Sequence, residues 1–499
     1  MFKKTYFLAT VAVATLATLT ATSTLPAQKP LALKGAKIIT MAGDTIENGT
    51  IVFRDGKISA VGADVKVPVE ARVIDVEGKT VMPGFVESHS SSGMSQANET
   101  NPIVPYVSVV DSIDPMNPYF RAARRNGVTT VRVSPGNSTL IGGQSAVIKT
   151  GGEFIDDMVI KSDAGVKISL KPVSGSRMSH LAKLRKALDE AKRKLDKKNK
   201  DNPKDDSKDK KKADDKKKDK DDKSDKDKKD GDKDDKKKEK GDKDDDKKED
   251  KKEDKKEDKD DDKKEDKKKD KKEAEKKKSA KKDSDKKDDK KKPEKVESEL
   301  DRAMFAILSG DLPVIIYCDK AMDVGQAMRL IKEYNFKASL VLGRECHKAA
   351  KQVAESGLPV ILDPQMVFFE EDPRTKEETK IVLPEIFRDH DVKFTFQTGR
   401  GGRTTLGNSY FWYQAATAVK YGMPVEEALA ALTILPAKFI GVDEYVGSIE
   451  EGKAADVIVM SGEPLGVGTW VEMTIVNGEV VYEKENDEQL KLLLEGDTE

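Results

Sequence analysis

The chain has 499 residues with 92 Lys and Arg against 92 Asp and Glu, a formal net charge of zero. That balance excludes the net cationic surface on which counterion release from nucleic acid depends, and a charged share of 37% excludes a polytopic membrane protein. The charge is unevenly spread: about 79 of the 90 residues at 201–290 are Lys, Asp or Glu, and roughly 26% of the other 409 residues are charged, an ordinary globular value.

Residues 1–27 open with Lys3 and Lys4, run through an Ala/Val/Leu/Thr stretch to Leu19 and then turn small and polar. This is the pattern of a cleaved signal peptide, and the threonines at 10, 15, 18 and 20 make an uncleaved anchor the poorer reading. A periplasmic or secreted bacterial protein is expected, with no stable membrane span after cleavage. Export permits a disulfide between Cys318 and Cys346, although two buried free thiols are preferred. With no C-x-x-C pair, a zinc site built on the cysteines is not expected.

Residues 28–82 read as short alternating strands separated by turns. Ile51-Val52-Phe53 and Lys57-Ile58-Ser59-Ala60-Val61 flank Asp55-Gly56, a strong hairpin signal. Residues 445–485 repeat the style, so the two terminal segments are expected to build one small β-sandwich domain. Between them, at 83–195 and 297–444, strand-like runs at 81–86, 129–133, 166–170, 314–317, 338–342, 359–362 and 392–396 alternate with helical periodicity at 322–334, 346–356 and 409–421. Such alternation implies a parallel sheet with right-handed crossovers, and about eight units imply a closed (β/α)8 TIM-like barrel.

An amphipathic helix at 181–195 is expected to dock on the barrel. Beyond it, residues 196–296 read as a long disordered insertion, because the Lys/Asp/Glu tract has no apolar surface to offset the ordering entropy. A solvated spacer is preferred over an electrostatic contact with a surface, divalent ions or another protein. The tract has neither arginine nor aromatic residues, which argues against phosphate or nucleobase recognition. Residues 486–499 are read as a C-terminal tail.

Gly78-Lys79-Thr80-Val81-Met82-Pro83-Gly84-Phe85-Val86-Glu87-Ser88-His89 resembles the first barrel strand of the amidohydrolase superfamily, in its imidazolonepropionase-like branch. Gly127-Val128-Thr129-Thr130-Val131, Pro135-Gly136-Asn137-Ser138 and Ile141-Gly142-Gly143-Gln144 resemble the same branch. So do Thr433-Ile434-Leu435-Pro436-Ala437-Lys438 and the run from Gly447 to Asp456. The resemblance covers about 31–482 without the charged tract.

What the resemblance implies is a hydrolytic metal held by His-x-His on the first strand, histidines after the fifth and sixth, an aspartate after the eighth and sometimes a lysine or glutamate on the fourth. Such an ion polarises the scissile carbonyl and acidifies bound water. Here His89 stands at the first ligand, but Ser91 follows where the second is expected. Tyr317-Cys318-Asp319, Gly343 and Gly399 stand at three further anchors. A lone imidazole does not make a catalytic zinc site, which needs three protein ligands. No cofactor is therefore expected, with zinc admitted only for an atypical but functional site.

His89 and Lys149 are relic metal candidates, Lys149 by its resemblance to the bridging lysine. His180, His347 and His390 are read as packing or surface residues. Candidates for metal-free catalysis are His89, Glu87 and Asp319, while Ser88, Ser90, Ser91 and Ser92 lack the Gly-x-Ser-x-Gly setting of a nucleophile. Arg344, Arg400 and Arg403 fall near the expected rim as ligand-binding candidates for an anion, although the Gly399–Arg403 loop lacks the Lys-Ser/Thr of a P-loop.

The resemblance thus implies an exported relative of hydrolases of non-peptide C–N bonds in cyclic amides. Loss of most metal ligands implies that it acts as a binding or pairing subunit. The alternative is an active hydrolase of a cyclic amide or related C–N bond with an atypical site around His89, Glu87, Lys149 and Asp319. Expected partners are a second copy in a homo-dimer or a metal-bearing paralogue in a hetero-complex, and no nucleic acid.

Overall fold

A computed structural model describes residues 29–201, 297–399 and 410–495. The expected signal segment, most of the charged insertion, Arg400 and Arg403 lie outside the described residues. No helix among the described residues is long and apolar enough to cross a membrane.

The N-terminal segment forms β1 (Leu31–Ile38), β2 (Ile46–Arg54), β3 (Lys57–Gly62), β4 (Arg72–Asp75) and β5 (Thr80–Pro83). Asp55 and Gly56 both have positive φ and join β2 to β3 with Arg54 opposite Lys57, the two-residue turn that the Asp-Gly pair favours. The expected strand at 81–86 is divided at Gly84: β5 stays with the terminal sheet and β6 (Phe85–Ser90) starts the central α/β part. A Cβ at Gly84 would collide with the Thr129 side chain, so the chain changes sheets where only glycine fits.

The central strands are β7 (Val128–Val133), β8 (Ile141–Gln144), β9 (Ala146–Lys149), β10 (Val159–Lys161), β11 (Val166–Ser169), β12 (Val314–Cys318), β13 (Ala338–Leu342) and β14 (Val360–Ile361). A hairpin of β15 (Val367–Glu371) and β16 (Glu378–Val382) precedes β17 (Phe394–Thr395). β6 and β7 pair in parallel, as do β11, β12, β13, β14 and β17 in succession. Between the two parallel runs β9 pairs antiparallel with β7, and β8 antiparallel with β11. Val/Ile/Leu-rich runs make these strands because both faces are covered, and Ile148, Ile168, Ile316 and Leu340 are fully buried in one core.

β18 (Val457–Met460), β19 (Val471–Val476) and β20 (Glu479–Glu483) return to the terminal sheet, where β18 pairs antiparallel with β5. The eight strands share one hydrogen-bonded sheet in the order β20-β19-β18-β5-β1-β2-β3, with β4 also beside β1. Alternate residues Leu31, Leu33, Phe53, Val457 and Ile475 form its own apolar core.

Two boundaries differ from expectation. The docked helix runs Arg177–Asp201 rather than ending near 195. Lys194 pairs with Asp301 at 2.6 Å and Lys198 with Glu297 at 2.9 Å, so contacts with the first turn of helix Glu299–Ser309 and the residues just before it extend it. The tail at 486–499 carries a helix, Glu488–Glu495, started by Asp487, which accepts from Leu490 N at 3.2 Å and from Arg125 Nε at 2.6 Å.

Candidate functional site

β6 delivers Glu87 and His89 to the C-terminal end of the parallel strands, where both are buried. Gln397, just beyond β17, donates its side-chain Nε2–H to Leu362 O at 2.8 Å. That bond fixes the amide, because the reverse orientation would set two oxygens against each other. Its Oε1 then faces His89 Nδ1 at 2.7 Å, so Nδ1–H donates and the lone pair is on Nε2. Lys167 Nζ, on β11, meets that lone pair at 2.5 Å.

Lys167 is wholly buried, lies 3.5 Å from Pro135 O and sits 5.8 Å from the centre of the Tyr317 ring. Arg132, on β7 and 3% exposed, donates Nε–H to Ser88 O at 2.7 Å, while its Nη2 has no partner among the described residues. Burial, then Lys167 and Arg132, hold the His89 imidazole well below its usual range. Burial, aided by Arg132, likewise holds Lys167 well below the usual lysine range, and burial pushes Arg132 down to about 9. No carboxylate among the described residues forms a salt bridge with either cation.

Glu87 faces a different set of partners. Its Oε1 accepts from Thr398 N at 2.5 Å and Thr398 Oγ1 at 2.6 Å, and its Oε2 from Tyr119 OH at 2.8 Å. Burial raises its carboxyl above the ordinary value against those hydrogen bonds. With both oxygens committed, Glu87 positions the segment after β17 instead of presenting a free ligand.

These residues do not fit a hydrolytic metal. Among the described residues no three His, Cys, Asp or Glu side chains gather to hold an ion. The loop at 400–409 has none of these residue types. The one histidine lone pair in the right place is taken by a lysine, and Ser91 donates its hydroxyl to Pro135 O at 3.2 Å.

Two cavities open above this floor. One, of about 240 Å3, is lined by His89, Asn98, Asn137, Gln397 and Thr398. The other, of about 510 Å3, is lined by Lys171, Asp319, Arg344, Glu345, Phe368 and Glu370. Tyr317 and Asp363 line both. Asp319 accepts from Tyr317 OH at 3.2 Å and pairs with Lys171 at 3.3 Å. Asp363 is pushed up to about 6 by burial, with Asp319 adding to the rise and the Gln365 N–H and Arg344 opposing it.

Of the sequence candidates, then, Glu87 and His89 share the floor, whereas Asp319 and Arg344 line the outer cavity. Arg344 is exposed there, donating to Gln365 Oε1 at 2.9 Å and lying 5.5 Å from the Phe368 ring centre. Lys149 belongs elsewhere. It forms a buried ion pair with Asp456 beside the terminal sheet, because β9 runs antiparallel to β7 and sets Lys149 opposite Thr130, towards the N-terminal end of that strand. The lysine that meets His89 is Lys167.

His180 Nε2 contacts Ser169 O at 2.8 Å, His347 packs edge-on against Phe368, and His390 is exposed. Cys318 and Cys346 are buried free thiols, with Cys346 Sγ 3.1 Å from Cys318 O.

Sequence reading passed over Lys167, Arg132, Gln397 and Thr398. A signal existed for the first two: each interrupts a run otherwise apolar or threonine-rich, and a lysine or arginine is almost never fully buried without a partner. Gln397 and Thr398 carried none, since amides and hydroxyls are ordinary after a strand.

The profile of the amidohydrolase family matches residues 350–481. An imidazolonepropionase of Pseudomonas syringae is 27% identical over 161 residues, 32% of this chain and 38% of its own. A 5′-deoxyadenosine deaminase of Methanosarcina mazei is 42% identical over 66 residues, 13% of this chain and 15% of its own. The chain therefore spans well under two thirds of the curated relatives it matches. An amidohydrolase structure from Thermotoga maritima covers 91% of this chain and 100% of its own with a TM-score of 0.63 at 22% identity, which shows a TIM-barrel-type fold. The motifs around His89, the family profile over residues 350–481 and the imidazolonepropionase matches together make this chain similar to the amidohydrolase superfamily, in its imidazolonepropionase-like branch.

Proposed function

We propose that this is an exported amidohydrolase-type protein that has lost metal-dependent hydrolysis and acts as a ligand-binding or pairing subunit. One observation carries the reading: the His89 Nε2 lone pair, the donor a metal needs, points at Lys167 Nζ 2.5 Å away. An ammonium or amine there competes with any divalent ion, and no second and third ligands stand ready among the described residues. The test is metal analysis of protein purified without chelator. The expected zinc content is far below one ion per chain; one tightly held zinc, with hydrolysis lost on its removal, refutes the reading.

The architecture we infer with it is a closed (β/α)8 barrel and a terminal β-sandwich. Closure is supported by the Ser88 Oγ–Thr395 Oγ1 contact of 2.7 Å and the His89–Gln397 bond, which link β6 to the β17 segment. Export is supported by the composition of residues 1–27, and N-terminal sequencing of the native protein tests it. Pairing with a second copy or a metal-bearing paralogue is tested by sizing the untagged native protein, where a single-chain mass refutes it.

A second reading has its own observation. Asp363, pushed up to about 6, lies beside Tyr317 and Asp319 where two cavities meet, and two carboxyl groups in unlike settings suit acid–base chemistry. On that reading the protein hydrolyses a cyclic amide or related C–N bond without metal. Both His89→Ala and Asp363→Asn should then abolish turnover, and unchanged turnover removes it.

A further inference from the structure

We propose that the outer cavity is a binding site for a free amino acid with an apolar side chain, its ammonium taken by Asp363 and its carboxylate by Arg344. The inference rests on the ligand-binding reading above and names the class of ligand. The cavity, of about 510 Å3, is of the size that small-molecule sites have. It stands at the C-terminal ends of the parallel strands, where Asp319, Arg344 and Asp363 follow β12, β13 and β14.

The charges around this cavity are matched in pairs except for two. Lys171 pairs with Asp319 at 3.3 Å, Lys320 with Glu345 at 3.5 Å and Glu370 with Lys348 at 2.9 Å. Arg344 and Asp363 form no salt bridge among the described residues, with those groups or with each other. Gln365 holds both and keeps them apart: its backbone N–H donates to Asp363 Oδ1 at 2.9 Å, and its side-chain Oε1 accepts from Arg344 Nη1 at 2.9 Å. Asp363 Oδ2 has no partner among the described residues and is open to the cavities that the side chain lines. The other guanidinium N–H groups of Arg344 are also unpartnered there.

An anion alone would satisfy Arg344 and set a second negative charge near Asp363, whereas a cation alone would do the reverse. A zwitterion meets both with charge-assisted hydrogen bonds. Burial and Asp319 already raise Asp363 to about 6, a burden that an ammonium at Oδ2 relieves. Phe368 and Phe369 supply the apolar wall. Phe369 is 62% exposed on the β15–β16 hairpin, and the side chain of a bound amino acid would cover it.

The experiment is isothermal titration of the full-length protein, purified without chelator, with L-leucine, 3-methylbutylamine and 4-methylpentanoate at neutral pH. The last two are leucine without its carboxylate and leucine without its ammonium. L-Leucine should occupy one saturable site, at least about tenfold more tightly than either analogue. Asp363→Asn should weaken leucine by about tenfold or more without weakening 4-methylpentanoate, and Arg344→Gln should weaken leucine as much without weakening 3-methylbutylamine. The first change is isosteric and the second lies at an exposed residue, so both variants should fold. Leucine bound no more tightly than its two analogues, or bound unchanged by either variant, overturns the site. Zinc measured on the same sample separates the two failures: one stoichiometric ion refutes the metal-free reading, whereas a zinc-free protein that does not bind leucine refutes this site alone.

Discussion

Lys149 and Lys167 are both buried, both on central strands, and have opposite surroundings. Lys149 meets the Asp456 carboxylate, which also accepts from Asn477 N at 2.9 Å, so the ion pair locks the terminal sheet to the central strands. Lys167 meets a neutral imidazole and the field of a guanidinium. A fold retains the first arrangement for its own integrity. The second lowers stability, and a protein keeps such a cost where a site has work to do.

The largest expected effect tests the paired lysine. Asp456→Asn leaves Lys149 buried without its counter-charge and should lose about 3–5 kcal/mol in denaturant unfolding. A loss below about 1 kcal/mol would mean that Lys149 finds water instead, and the contrast between the two lysines would collapse.

Lys167→Met should act in the opposite direction. Removing an amine from between His89 and Arg132 relieves the burial cost while leaving His89 Nε2 without a partner, for a net gain of about 1–2 kcal/mol. A loss comparable to that of Asp456→Asn would show Lys167 to be a structural partner like Lys149.

Asp363 sharpens the comparison from the acidic side. Its folded value of about 6 lies above its ordinary value of 3.8, so the native state holds the proton more tightly than the unfolded chain. The associated stability is fully present below 3.8 and is lost as pH rises through about 6. Asp363→Asn should therefore be near neutral at acid pH and stabilising by about 1–2 kcal/mol above pH 7, after discounting for partial exposure. Parallel thermal unfolding curves at both pH values would refute the assignment.

The smallest effect concerns the charged tract. Deleting residues 204–290 removes a single apolar residue type, alanine, three times, and should move Tm by no more than about 2 °C. A larger drop would show that the tract stabilises the folded part.

Much of the fold was legible because its signals are local. Asp55-Gly56 between two alternating runs specifies a hairpin, and the buried runs around Ile168, Ile316 and Leu340 specify parallel strands whatever their neighbours do. The site was legible only at β6, where Glu87 and His89 sit in a recognisable motif. Lys149 was assigned to the site because a lysine at a strand end looks alike in either orientation. Lys167 and Arg132 were absorbed into strand runs, since counting apolar residues does not say which face a charge occupies.

The sequence by itself therefore determined the elements, the alternation of strand and helix, the family resemblance and the vacancy at Ser91, all of which depend on residue type and short-range spacing. Only the tertiary structure decided which lysine meets His89. That choice depends on β9 running antiparallel to β7 while β11 runs parallel to β12, and strand direction is set by long-range pairing rather than by local chain preference. The same pairing carried Gln397 from beyond β17 to His89, across 308 residues of chain, and so fixed which imidazole nitrogen is free.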